Sequence, residues 1–149
     1  MQLLDGKLVS AHIKAQIKQE SDVLKSAGKR TPHLAAILVG EDPASQAYVA
    51  SKVKTCAELG FDSTLVRLDE HTEESVLLKK IEQFNTDSSI DGILVQLPLP
   101  RHINENHIIE AILPSKDVDG FHPVNQGNLM LGLPGFVPAT PYGIMLMLD

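Results

Sequence analysis

This sequence has almost no cysteine. Cys56 is the only one in 149 residues, so no internal disulfide can form. Such sparing use suits a reducing compartment. Positive charge is also scarce: 13 Lys and Arg against 19 Asp and Glu leave a formal net charge of −6 with the six His counted neutral. Lys29-Arg30 is too short a basic cluster to follow a nucleic-acid backbone, which needs many clustered cations. No apolar run approaches the roughly 20 residues a membrane helix requires. Met1–Gly6 has no basic stretch followed by an apolar one, so it does not read as a secretory signal. Neither G-x-G-x-x-G nor G-x-x-x-x-G-K-[ST] occurs. Repeats and low-complexity segments are missing as well. Together these absences argue against a disulfide scaffold, a nucleic-acid binder, a membrane-spanning protein and a self-contained dinucleotide site. A soluble cytoplasmic protein is the expectation.

What remains is an ordinary globular chain, 43% hydrophobic and 21% charged, of a length that suits one domain. Val9, Ile13, Ile17 and Leu24 recur at helical spacing, which predicts a helix over 6–27 with Gly28 just past its end. Leu34–Val39 is a short apolar run closed by Gly40 and reads as a buried strand. Asp42 as N-cap, Pro43 at the first position and Gly60 beyond the end frame a helix over 43–59. Thr64–Leu68 reads as a second strand. Residues 72–85 read as a helix capped by Thr72, with Val76, Ile81 and Phe84 inward. Ile90–Leu97 is a third strand, and 104–112 a short helix. This alternation predicts an α/β fold: a parallel sheet with helices on both faces. Residues 113–143 are rich in Gly and Pro and read as ordered loop. Thr140-Pro141 looks like an N-cap followed by Pro at N1, opening an apolar helix that runs into the end of the chain.

Three groups of residues could carry chemistry. Tyr48 and Lys52 are four apart on a predicted helix and share a face with Ser45, along the seam between its apolar and polar sides. A lysine half-withdrawn from water there has its neutral amine more accessible, and the Tyr48 hydroxyl beside it could hold it in place. A snorkelling lysine beside an ordinary boundary tyrosine is the plain alternative. Gln96 lies at the carboxyl end of the third strand, and Gly40 closes the first. Ligands of open parallel sheets bind at that edge. Gln96 could equally be satisfied by nearby backbone. The third group is Lys116-Asp117-Val118-Asp119-Gly120-Phe121-His122-Pro123. Its two carboxylates could accept ligand N–H groups or simply carry an Asx-turn. No ligand cluster supports a metal, and none is expected. Cys56 falls on an apolar stripe and reads as a small buried hydrophobe.

Four blocks, long and in order, carry a resemblance. They are Val39 through Lys52, Gly92 through Pro100, Lys116 through Pro123, and Pro138-Ala139-Thr140-Pro141. Together they resemble the bifunctional methylenetetrahydrofolate dehydrogenase/cyclohydrolases over nearly the whole chain. The resemblance implies a three-layer α/β/α fold of the amino acid dehydrogenase-like N-terminal type. Residues 1–139 would be the folate-binding catalytic domain, and 140–149 the start of the helix leading to an NAD(P)-binding Rossmann domain outside these residues. That family oxidises 5,10-methylene-tetrahydrofolate with NADP, or NAD in some members, and hydrolyses the product to 10-formyl-tetrahydrofolate. By resemblance Lys52 is the catalytic lysine and Tyr48 stacks on folate and orients it. Gln96 bonds to the lysine, and Asp119 receives pterin N–H groups. Ser45 and Pro98 are further substrate-binding residues. No cofactor is expected on this chain itself, and the full-length enzyme is expected to be a homodimer joined mainly outside it. Two other readings stay open: a short-chain dehydrogenase, whose catalytic pair Tyr48-x-x-x-Lys52 mimics, and a non-enzymatic binding module.

Overall fold

The computed structural model describes residues 4–148. Its elements are α1 (Gly6–Ser26), β1 (His33–Val39), α2 (Pro43–Leu59), β2 (Asp62–Leu68), α3 (Glu74–Thr86), β3 (Gly92–Val95), α4 (Glu105–Ala111), α5 (Pro123–Leu131) and α6 (Ala139–Leu148). The three strands form one parallel sheet in the order β2-β1-β3. β1 is central. It pairs from His33–Asp62 through Val39–Leu68 on one side and from Leu34–Gly92 through Ile37–Val95 on the other.

Strand residues point alternately to opposite faces, and β1 uses both. Ala35, Ile37 and Val39 pack with Leu77 and Ile81 of α3 and Ile108 of α4. Ala36 and Leu38 pack with Val49 of α2, together with Leu94 of β3. The sheet is therefore covered on both sides, which is why β1 reads as a continuous apolar run rather than an alternating one. Each fully buried Leu or Ile here contributes about 1.5–3 kcal/mol of transfer free energy. The expected three-layer α/β arrangement is what the chain adopts. α2 keeps its expected bounds, with the Asp42 carboxylate accepting from the Ser45 N–H at 2.7 Å and Gly60 closing the helix at φ 78°.

Several boundaries differ from expectation. β1 and β2 begin earlier than read, at His33 and Asp62, and β3 is shorter, Gly92–Val95. Thr72 is not the cap of α3. The helix starts after Glu73, whose side chain makes no capping bond. Val76 is exposed and Leu77 is buried in its stead. The helix phase is set by Leu77 and Ile81, four apart, and Val76 then falls outside their stripe. The largest departure is α5, inside the segment expected to be loop. His122 Nδ1 accepts from the Val124 N–H at 3.1 Å, Pro123 sits in the first turn and Gly132 ends the helix at φ 67°. These end signals were present, but the only buried residue of α5 is Asn125, and Met130 and Leu131 are exposed. With no inward apolar stripe there was no helical period to find. α6 begins at Ala139, so Thr140 and Pro141 lie inside its first turn.

The segment before α5 is tied to the sheet. The Ile93 N–H donates to the Lys116 carbonyl at 2.7 Å, and Asp117 pairs with Ile93 as an isolated parallel bridge. Lys116 Nζ donates to the carbonyls of Phe84, Asn85 and Asp87 at 2.8, 2.9 and 2.8 Å, capping the C-terminal end of α3 where a cation is favoured. Val118 packs onto Gly92 so closely that a Cβ at Gly92 would lie 2.4 Å from its Cγ1. Gly120 then turns at φ 69°, and a Cβ there would come within 2.9 Å of the Pro138 nitrogen and 3.0 Å of the Phe136 carbonyl oxygen. Gly132 shares a left-handed φ of 67° but has open space around it. Gly120→Ala is expected to cost on the order of 3 kcal/mol, strain plus displacement of backbone, whereas Gly132→Ala costs about 1 kcal/mol. Urea unfolding midpoints of the two variants measure the difference, and equal midpoints would contradict it.

Candidate active site

Parallel pairing makes β1 and β3 end at the same edge of the sheet. Beyond β1 the chain enters α2 through Gly40-Glu41-Asp42. Beyond β3 it continues through Gln96, whose N–H donates to the Ile37 carbonyl at 2.9 Å and so prolongs the ladder by one residue. Leu94 faces α2, so Gln96, two residues on, emerges on the same side. The tethered segment from Lys116 brings Asp119 to this edge as well. These pieces enclose a cleft of about 320 Å³ lined by Tyr48, Lys52, Gln96, Asp119, Phe121 and the start of α6.

Four of the six residues proposed from the sequence meet there. The Lys52 ammonium lies 3.6 Å from Asp119 Oδ1 and 4.7 Å from the centroid of the Tyr48 ring. Tyr48 therefore meets the lysine with its ring, as a cation–π contact, and not with its hydroxyl as the sequence suggested. Such a contact is worth about 0.5–1 kcal/mol at an exposed site. Tyr48 is 57% exposed and lines the cleft. Lys52 and Asp119 are each about a quarter exposed, so their pairing is neither fully screened nor dry. Gln96 does not reach the lysine: its Nε2 donates to the neighbouring Leu97 carbonyl at 2.6 Å, the backbone alternative named above. Ser45 is buried beneath the α2 N-cap and Pro98 follows a cis Leu97–Pro98 bond; neither lines the cleft.

The two aspartates divide their work. Asp117 is buried and takes the turn role: its Oδ2 accepts from the His122 N–H and from Asn125 Nδ2, both at 2.9 Å. Asp119 is left facing the cleft. His122, spent on capping α5, is not among the lining residues. Phe121 had no assigned role from the sequence, yet it lines the cleft and is 44% exposed. An aromatic directly after the Asp119-Gly120 turn was the only available signal. Cys56 is buried, as its stripe implied, and burial pushes its thiol up. Among the described residues no cluster of three or more His, Cys, Asp or Glu is arranged to hold a metal, and no helix is long and apolar enough to cross a membrane.

Burial pushes the Asp119 carboxyl above its ordinary value of 3.8; Lys52 opposes this and the nearby Asp117 charge adds to it. The folded protein thus holds the Asp119 proton more tightly than the unfolded chain does. That contribution to stability is complete below the unfolded value and is lost as pH rises through the higher folded one. Asp119→Asn, neutral at every pH, is expected to melt higher than wild type at neutral pH. The advantage should vanish near about pH 3.5, where both side chains are neutral. Melting curves at both pH values check this, and a variant less stable at neutral pH would show that the Lys52 pair outweighs burial.

Residues 4–119 match the family model described as tetrahydrofolate dehydrogenase/cyclohydrolase, catalytic domain. A bifunctional protein FolD from Campylobacter fetus is 59% identical over 99% of this chain, which covers 52% of that protein. The crystal structure of the bifunctional enzyme FolD, a methylenetetrahydrofolate dehydrogenase/cyclohydrolase from Campylobacter jejuni, superposes with a TM-score of 0.96 at 53% identity, covering 99% of this chain and 52% of that one. The Trypanosoma brucei methylenetetrahydrofolate dehydrogenase-cyclohydrolase, complexed with NADP cofactor and inhibitor, superposes with a TM-score of 0.92 at 33% identity, covering 97% of this chain and 50% of that one. The chain spans about half the length of the curated relatives it matches. With most of its length matched by the family model, and its fold shared with a relative of high identity, the chain belongs to the tetrahydrofolate dehydrogenase/cyclohydrolase family.

Proposed function

We propose that this chain is the folate-binding half of an enzyme with two successive activities on one substrate. The first removes a hydride from the methylene carbon of 5,10-methylene-tetrahydrofolate, with NADP, or NAD in its place, as the acceptor. The second adds water to the resulting methenyl carbon and breaks its bond to N5, leaving 10-formyl-tetrahydrofolate and one proton. The observation that carries this is the meeting of Lys52, Tyr48 and Asp119 in one cleft at the sheet edge, in a chain of this family. The short-chain dehydrogenase and the simple binding module have no comparable support.

Each residue has a definite task. The open Tyr48 ring stacks on the flat pterin system. Asp119 accepts pterin N–H groups through charge-assisted bonds, each worth about 1.5–3 kcal/mol. In the free chain Asp119 is the counter-ion of Lys52. Once Asp119 is shared with ligand N–H groups, Lys52 is freed from that pairing. Its amine then takes a proton from the attacking water and returns one to N5 as the ring opens, a role worth roughly 10²–10⁴-fold in rate. Gln96 turns from the Leu97 carbonyl to the lysine when ligand fills the cleft. Ser45 and Pro98 keep the substrate-binding role that the resemblance implies, though neither lines the cleft of the free chain.

The chain's own residues do not fit a dinucleotide. The loop after β1 is Gly40-Glu41-Asp42, and the Asp42 carboxylate already occupies the N-terminal end of α2, where a pyrophosphate would sit. NADP, and the main contacts of a homodimer, are assigned to the remainder of the full-length protein. Calorimetry on the 149-residue chain is accordingly expected to detect no micromolar NADP binding, and a stoichiometric heat would refute that assignment.

The decisive test is a comparison of two rates. Hydride removal needs orientation but no proton transfer by Lys52. In the full-length protein Lys52→Met should therefore depress methenyl hydrolysis by at least about 10²-fold and oxidation far less. Tyr48→Phe should impair both only slightly, because the ring that meets the lysine and the ligand stays. Hydrolysis within a few-fold of wild type in Lys52→Met, with circular dichroism unchanged, would reduce Lys52 to a snorkelling side chain.

A further inference from the structure

A buried carboxylate held only by neutral donors is costly, and Asp117 is one, 3% exposed. Its Oδ2 gathers two donors from opposite sides: the His122 N–H, at the far end of the turn, and Asn125 Nδ2, on the first turns of α5. Asp119 lies at the apex of the span from 117 to 122. The turn is closed further by the Gly120 N–H donating to the Asp117 carbonyl at 3.2 Å, and by Gln126 Nε2 donating to the Gly120 carbonyl. Asn125 is itself 3% exposed and gives its second amide hydrogen to the Pro114 carbonyl at 3.0 Å, so one side chain ties both flanks of the segment. Gly135 makes room for it: a Cβ there would lie 3.1 Å from Asn125 Oδ1. α5 buries no apolar residue, so packing does not account for its place. Its inward face is polar and spent on this turn.

We infer that Asn125, acting through Asp117, is a positioning residue for Asp119, and that α5 serves to aim that carboxylate into the cleft. This rests on the proposed folate-binding role of Asp119. Asn125 lies outside the cleft lining. Its removal should therefore be felt only as a loss of what Asp119 does. A residue that merely holds α5 in place would weaken binding whether or not Asp119 were present.

The test is a double-mutant cycle in the full-length protein, with tetrahydrofolate affinity measured by calorimetry under reducing conditions. Asp119→Ala and Asn125→Ala should each weaken binding about tenfold. Asn125→Ala placed in the Asp119→Ala background should change it by less than about twofold. Should Asn125→Ala fail to fold by circular dichroism, Asn125→Ser, which keeps a short donor, enters the same cycle with a smaller expected loss and the same lack of additivity. Additive losses, or unchanged affinity on substitution of Asn125, would overturn the inference while leaving the folate role of Asp119 intact. Unchanged affinity in Asp119→Ala alone would instead bring down the folate role, and this inference with it.

Discussion

The site depends on the parallel pairing of β1 with β3. Two strands running the same way must end at the same edge, and everything that follows them is delivered there: α2 with Tyr48 and Lys52 after β1, Gln96 after β3. An antiparallel pair would have sent these groups to opposite ends. Parallel strands need helical crossovers, and those crossovers bury both faces of β1. The apolar run that identifies β1 as a strand and the convergence that creates the cleft therefore have one cause.

Asp119 reaches the same edge by a different route. No helix or full strand carries it. It sits on a segment pinned by unlike fastenings: Lys116 on the carbonyl end of α3, the Ile93–Lys116 bond along β3, Val118 pressed on Gly92, and Asp117 buried against α5. Each is modest alone, since a net hydrogen bond contributes about 1 kcal/mol. Together they leave the segment few alternatives, as placing a single carboxylate within hydrogen-bond reach of a ligand requires.

Holding Asp119 there works against stability. Burial favours its neutral form, and Lys52 only partly offsets this at 3.6 Å. The exposed Tyr48 and Phe121 rings are a similar concession, apolar surface left open where folding alone would cover it. A partly buried carboxylate and open aromatics in one cleft are expected where a sequence serves binding as well as folding.

Local rules settled much from the residues alone. Asp42, Pro43 and Gly60 bound α2 because capping and glycine chemistry act within a few residues of the helix end. Helical spacing put Tyr48 and Lys52 on one face, and the apolar run 34–39 marked the central strand. Similarity of the four motif blocks identified the family and pointed to Asp119. Other features depended on distant partners. α5 was missed because its inward residue is a polar Asn answering a carboxylate eight positions earlier, which no periodicity records. Val76 is exposed and Leu77 buried because the helix phase follows the sheet it packs on. Apart from that similarity, nothing in the residues themselves said which aspartate would turn the chain and which would face the cleft, since Asp117 and Asp119 are alike in chemistry. Spacing within the sequence determined what could stand together on one element; only packing between elements decided which side chains would meet across them, because burial and charge act between groups far apart along the chain.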